Sequence, residues 1–309
     1  MKLLVVGAGS TGGYFGGRLQ QAGRDVTFLV RPRRAEQLRA TGLQIRSPHG
    51  DVDLVPKLVQ ADGLDQTYDA IFLTVKAYAL DAALADIAPA VGRETMILPI
   101  LNGMGHIDRL TGRFGTQAVI GGLCKCSTTL GEAGEILQLN PMQDLTYGEL
   151  DGSQTDRIQR LDGFMKGAGF NARLSSDIAL EMWEKWFFLS SLAGLTCLLR
   201  GDTGQINAAP SGTDAVHAII DEAAAIISAV GIAPRPDYVA GTRAQLTNTE
   251  APLSSSMFRD MQAGLAVEAD AIIGDLVHRA KAARLPAPLM TAAFVNLALY
   301  DAARQERLI

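Results

Sequence analysis

Fold space narrows within the first sixteen residues, where Lys2-Leu-Leu-Val-Val-Gly7-Ala8-Gly9-Ser10-Thr11-Gly12-Gly-Tyr-Phe-Gly16 sets a G-x-G-x-x-G directly after an apolar strand and at the mouth of a helix. Gly7 lets the strand turn tightly, Gly9 lets a diphosphate approach the backbone, and Gly12 lets the helix pack closely on the sheet. The free N–H groups of the helix beginning near Ser10 then face the anion. Taken alone, the same letters describe a glycine-rich turn packing a helix on a strand. The strand before and the amphipathic helix after favour a dinucleotide loop made of Gly7, Ala8, Gly9, Ser10, Thr11 and Gly12.

An acidic residue at the end of the next strand normally takes the ribose 2′-hydroxyl of NAD. That strand, Asp25-Val-Thr-Phe-Leu-Val30, runs instead into Arg31-Pro-Arg33-Arg34. About twenty residues past the glycines is where an arginine meets the 2′-phosphate of NADP, so NADP(H) is the expected nucleotide. Arg31 is preferred over Arg33 and Arg34 because it abuts the strand. The competing reading is a solvated basic turn that opens a helix.

With 309 residues the chain suffices for two domains, each burying its own core. A formal charge of −5 without a long basic tract argues against nucleic acid as a partner, because phosphate neutralisation needs clustered Lys and Arg. No export signal precedes the first strand, so cytoplasm is the expected compartment. The longest apolar run, Trp186 to Leu199, contains Ser190, Ser191 and Thr196; it falls short of the roughly twenty residues needed to cross a bilayer and reads as a buried helix. Cys124, Cys126 and Cys197 lack the number and spacing of a zinc site and are expected as reduced, packed thiols. Four scattered histidines suggest neither a metal centre nor a hydrolytic triad, and His106 is read as structural.

Alternation of short β-rich runs with helical stretches indicates an α/β fold, a Rossmann-type parallel sheet wrapped by crossover helices. Leu3 to Val6, Val26 to Val30, Ala70 to Val75 and Met96 to Ile100 are the candidate strands, whose carboxyl ends carry Gly7, Arg31, Lys76 and Asn102. In open α/β sheets the ligand crevice lies beyond those ends. From Val119 to Glu149 the texture suggests hairpins extending the sheet, followed by a helix at 153–167 and a strand near 172–174. After Asp177, a plausible N-cap, strand signals vanish and the chain reads as an all-helical C-terminal domain. The expected division is 1–176 for the NADP-binding domain and 177–309 for the helical substrate and catalytic domain, the two meeting along a cleft. For the alanine-rich helices after Pro210, a homodimer interface and internal packing both stand open.

Two ionisable residues stand out in the helical half. Lys185 sits at the threshold of the buried helix, where burial would bring its proton affinity toward the catalytic range. Ketone reduction needs a hydride and a proton for the oxygen, and a lysine beside the carbonyl can act as general acid. Glu268 is a carboxylate on an otherwise apolar helix that can orient that lysine or hold substrate. A snorkelling surface lysine and a helix-face charge are the bland alternatives.

Across nearly the whole chain, Gly7-Ala-Gly9-Ser-Thr-Gly12, Val75-Lys76-Ala77, Leu101-Asn102-Gly103-Met104-Gly105, Trp183-Glu-Lys185 and Ser255-Ser256-Met257-Phe-Arg-Asp260 with Glu268 occur in an order and spacing that resemble the ketopantoate reductases (2-dehydropantoate 2-reductases). The resemblance implies NADPH-dependent reduction of 2-dehydropantoate to pantoate, a step toward pantothenate. It implies Lys185 as proton donor, Glu268 as its catalytic partner, Lys76 and Asn102 lining the cofactor side with Asn102 also at the substrate, and Ser256 on the substrate's polar end. A tight turn at Asn102-Gly103 and a helix cap at Ser254–Ser256 are the structural alternatives. Departures fall on the substrate side. Asparagines expected four and eight residues after the lysine are Leu189 and Ala193, and a further one is Arg200, which can grip a carboxylate bidentately. A related reductase of another, more apolar 2-oxo acid therefore stands as the alternative, with a non-catalytic NADPH sensor as a third reading.

Overall fold

Strand β1 (Lys2–Val6) sends Leu3 and Val5 to one face of a sheet and Leu4 and Val6 to the other, and each pair enters a different core. After it come α1 (Ser10–Gln21), β2 (Asp25–Leu29), α2 (Pro32–Thr41), β3 (Leu43–Arg46), β4 (Val52–Leu54), β5 (Lys57–Val59), β6 (Ala70–Leu73), α3 (Leu80–Ile87), β7 (Met96–Pro99) and α4 (Gly105–Phe114). The computed structural model describes residues 1–306. Strands β5-β2-β1-β6-β7 form a parallel sheet in that order. On one face Leu3, Val5 and Phe72 pack with Tyr14, Phe15 and Leu19 of α1. On the other, Leu4, Val6 and Ile71 pack with Leu80, Leu84 and Ile87 of α3. Each such fully buried side chain stabilises the fold by about 1.5–3 kcal/mol. Both faces are covered, which explains the near-continuous apolar strands.

The expected extension of this sheet by hairpins is corrected by the structure. To the parallel sheet this stretch adds an isolated bridge between Ile97 and Val119. Thereafter β8 (Gly121–Leu130) pairs antiparallel with β9 (Ile136–Gly148) in a second sheet. Strand β9 is long enough for its other edge to pair with β3 at one end and, beyond α5 (Asp156–Met165), with β10 (Asn171–Leu174) at the other. Helix α1 lies between the two sheets, and its paired glycines make that possible. A Cβ at Gly16 would lie 2.6 Å from the Phe28 ring, and one at Gly17 would lie 2.7 Å from Leu43 and Ile45.

The molecule forms two compact units, 1–101 with 106–179 and 102–105 with 180–309. Residues 102–105, expected with the N-terminal domain, thus group with the helical unit. That unit is built from α6 (Ile178–Leu199), α7 (Thr203–Ala208), α8 (Gly212–Val230), α9 (Pro236–Leu246), α10 (Ser256–Gln262), a π-helical turn at Asp270–Gly274, α11 (Asp275–Ala282) and α12 (Pro288–Glu306). Helix α6 is buried through most of its length. Its Ser190 and Ser191 hydroxyls donate to the Phe187 carbonyl and its Thr196 hydroxyl to Leu192, so the buried hydroxyls return to the helix's own backbone. Among the described residues no helix is long and apolar enough to cross a membrane, and no His, Cys, Asp and Glu group could hold a metal ion.

Candidate active site

In the parallel sheet β1 lies between β2 and β6, so the strand order reverses at β1, the place where α/β sheets take ligands at their carboxyl ends. Gly7, at φ +96°, turns the chain there and donates its N–H to the Leu29 carbonyl. A Cβ at Gly12 would strike the Thr74 hydroxyl and the Gly7 carbonyl. Thr74 itself donates to the Val6 and Gly7 carbonyls at 2.9 and 3.1 Å, bracing the loop from β6. Around Gly9, by contrast, a Cβ would meet nothing within 4 Å. Helix α1 opens after Gly9 without a side-chain cap, which leaves its first N–H groups available to an anion. The cradle therefore fits a dinucleotide diphosphate.

The basic turn separates into two kinds of arginine. Arg31 and Arg33 are exposed at the start of α2, close to the end of β2. Arg34 points inward: its Nε donates to the Ala8 carbonyl at 3.0 Å, and its Nη1 donates to the Gly134 carbonyl at 2.9 Å and to Gln37 at 2.6 Å. Burial pushes its pKa down from the usual guanidinium value. Lys76 follows β6 on the exposed surface and opens a short helical turn.

In the helical unit the chain beside three candidates meets one hub, the π-helical turn. Trp186, the residue after Lys185, donates its indole N–H to the Ile272 carbonyl at 2.9 Å. The Ile272 N–H in turn meets the carbonyl of Glu268 at 3.2 Å. Gly103, beside Asn102, has φ +83° and packs so tightly on the Ala271 carbonyl that a Cβ would collide with it. Asn102-Gly103 is thus a tight turn and also a contact with this hub. Glu268 is 8 % exposed and Lys185 is half-buried. The Lys185 ammonium makes no hydrogen bond or ion pair with another described residue. Its neighbour Glu184, 1 % exposed, accepts two bonds from the Arg235 guanidinium at 2.8 and 2.5 Å, and they raise the pKa of Arg235. Trp183 packs on Gly231 where any side chain would collide.

One expected substrate contact lies elsewhere. Arg200 is fifteen positions beyond Lys185, about 22 Å along a helix axis. It caps α6 at φ +59° and donates to Asn296 at 3.0 Å, while Asn296 donates to the Cys197 carbonyl. The structure therefore does not bring Arg200 to Lys185. Of the serines, Ser255 is the buried cap, accepting from the Phe258 N–H and meeting the Thr196 hydroxyl at 2.8 Å, whereas Ser256 is exposed in the first turn of α10. Leu189 is half-buried and Ala193 buried on the helix that carries Lys185. All three cysteines are free; burial pushes the Cys126 thiol up to about 12 and Cys197 to about 11. Sequence reasoning missed Thr74, Trp186 and the inward aim of Arg34. Only Trp186, adjacent to the lysine, carried a signal that could have marked it.

Comparison with known proteins matches residues 3–152 to the family described as ketopantoate reductase PanE/ApbA and residues 177–301 to its C-terminal part. The uncharacterized oxidoreductase YkpB of Bacillus subtilis is 36 % identical over 98 % of this chain and 99 % of its own. A solved 2-dehydropantoate 2-reductase from Geobacter metallireducens is 28 % identical, with a TM-score of 0.85 over 97 % of this chain and 99 % of the other. D-mandelate dehydrogenase, solved with NADH and anilino(oxo)acetate, shares the fold at 21 % identity, with a TM-score of 0.85 over 99 % of this chain and 100 % of the other. Matched along both of its units, the chain belongs to the ketopantoate reductase family, oxidoreductases acting on CH–OH groups.

Proposed function

We propose that the protein reduces 2-dehydropantoate to pantoate with NADPH, residues 1–176 binding the nucleotide and 177–309 carrying the catalytic and substrate groups. The observation that supports this reading is that Trp186 and Gly103, the chain neighbours of Lys185 and Asn102, meet the π-helical turn whose Ile272 N–H is held by the Glu268 carbonyl. A binding protein needs no proton donor together with a carboxylate, whereas ketone reduction uses both.

Gly7, Gly9 and Gly12 admit the diphosphate, the first N–H groups of α1 face it, and Arg31 takes the 2′-phosphate. When bound, the nucleotide supplies the hydride. Lys185 donates its proton to the ketone oxygen as negative charge develops there, and Glu268 keeps that ammonium charged and aimed in the substrate complex. Asn102 and Ser256 hold the polar end of the acid, and Lys76 lines the nucleotide side.

A second reading is favoured by Leu189 and Ala193, which present hydrocarbon one and two turns beyond Lys185: a more apolar 2-oxo acid on the same frame. Absorbance-monitored NADPH oxidation with 2-dehydropantoate beside a panel of 2-oxo acids separates the two, with NADH as control because the mandelate dehydrogenase neighbour was solved with it. Best turnover of 2-dehydropantoate supports the first reading. Its rejection beside turnover of an apolar acid supports the second, and nucleotide binding without turnover on any acid sinks both.

A further inference from the structure

The inward arginine of the basic turn has a role of its own. Arg34 reaches from α2 to the Ala8 carbonyl, inside the glycine loop, while the same guanidinium is held by Gln37 and by the Gly134 carbonyl at the tip of the β8–β9 hairpin. Gln37 also donates to the Ala133 carbonyl at 2.8 Å, so α2, the hairpin tip and the loop are cross-braced. A Cβ at Gly134 would strike Gln37 and lie 2.7 Å from the Arg34 Nη1, so the tip must be glycine there for the brace to form.

The Ala8 carbonyl and the Gly9 N–H belong to one planar trans peptide and point in opposite directions. Fixing the carbonyl toward Arg34 therefore fixes the N–H away from it. The Gly9 N–H makes no hydrogen bond with a described residue, and the space around Gly9 is open. A guanidinium on the carbonyl also offsets the negative end of a peptide dipole that would otherwise oppose an anion.

We infer that Arg34 is a positioning residue for nucleotide binding: it holds the Ala8–Gly9 peptide with its N–H aimed at the diphosphate, and it does not touch the 2′-phosphate. The inference rests on the nicotinamide-dinucleotide reading given above. It assigns different work to neighbouring arginines. Arg31 discriminates between NADPH and NADH, whereas Arg34 strengthens both equally, because the diphosphate is common to them.

The test is equilibrium binding of NADPH and of NADH, followed by nucleotide fluorescence, for wild type, Arg34→Met, Arg34→Lys and Arg31→Asp. Arg34→Met is expected to weaken both nucleotides by about tenfold with their ratio unchanged. Its kcat at saturating NADPH, with any 2-oxo acid the wild type reduces, should stay within about twofold. Arg34→Lys should recover part of the affinity, since an ammonium can meet the Ala8 carbonyl but cannot fork to Gly134 as well. Arg31→Asp should change the ratio. Should Arg34→Met fail to fold, Gly134→Ala carries the test by displacing the brace, with the same weakening of both nucleotides expected. Unchanged affinity for both in the folded variants, or a loss confined to NADPH, would overturn the inference. A wild type that binds neither nucleotide overturns the functional reading and this inference with it. A wild type that binds both but reduces no 2-oxo acid overturns only the functional reading.

Discussion

The glycine loop of the first unit and the π-helical hub of the second offer ligand groups by opposite means. At the loop the groups are backbone N–H, exposed by the side chains that Gly7, Gly9 and Gly12 lack. At the hub, on the function proposed above, they are the side chains of Lys185, Glu268 and Asn102, whose neighbours Trp186, Ile272 and Gly103 pack there. At position 12 the loop consequently tolerates no added atom, since Thr74 and the Gly7 carbonyl already fill the space a Cβ there would need. One and two turns beyond Lys185 stand the apolar side chains of Leu189 and Ala193. On the proposed function, cofactor architecture and substrate preference are separable within one chain.

That separation can be broken first at Lys185. Lys185→Ala should lower kcat about 10³-fold while NADPH affinity measured by fluorescence stays near wild type; a comparable loss of affinity would mean the hub and the nucleotide site are one. Next in size, Gly12→Ala should cost about 3 kcal/mol in denaturant unfolding and abolish nucleotide binding, through overpacking against Thr74 and Gly7. Retained binding would refute the claim of an intolerant loop. A smaller effect is expected of Trp186→Phe, which keeps an aromatic ring but removes the bond to the Ile272 carbonyl. It should lower kcat about tenfold with little change in the KM for NADPH. Unchanged kcat would reduce the hub to simple packing.

The mildest test uses pH. Burial pushes the Glu149 carboxyl up, but hydrogen bonds from Arg157 and Thr155 outweigh it and leave its pKa below the usual value. A depressed folded value means that this stabilisation is fully present above the unfolded pKa of about 4.3 and is lost as pH falls through the lower folded value. Glu149 and Arg157 belong to the first unit, whereas the chain's two tryptophans, Trp183 and Trp186, belong to the second. On acidification nucleotide binding should fail before tryptophan fluorescence changes, and Arg157→Met should narrow that gap. Simultaneous loss would show that the units unfold together.

Legibility in the sequence follows the same division. The loop could be read because its requirements are local: consecutive glycines, one strand and one helix. Strands β1, β2, β6 and β7 were readable because burial on both faces demands unbroken apolar runs. Strands β3, β4 and β5, three or four residues each, are too short to show alternation. The strands at 119–149 and 172–174 were therefore assigned to the parallel sheet, and the reason for glycine at position 17, its approach to Leu43 and Ile45, was missed. At the helical end Lys185 and Glu268 were legible as ionisable residues in apolar surroundings, but the length of helix between Arg200 and the lysine was not weighed.

What the amino-acid order alone determined is the set of groups on offer: a diphosphate cradle, an arginine at the place proposed for NADP discrimination, a lysine and a carboxylate. Steric and hydrogen-bonding rules that act within a few residues are enough for that. Where those groups point was decided only by tertiary structure. The Ala8 carbonyl is fixed by an arginine 26 residues away and the Ile272 carbonyl by a tryptophan 86 residues away. Such bonds form only after distant segments have packed, and no local pattern records them.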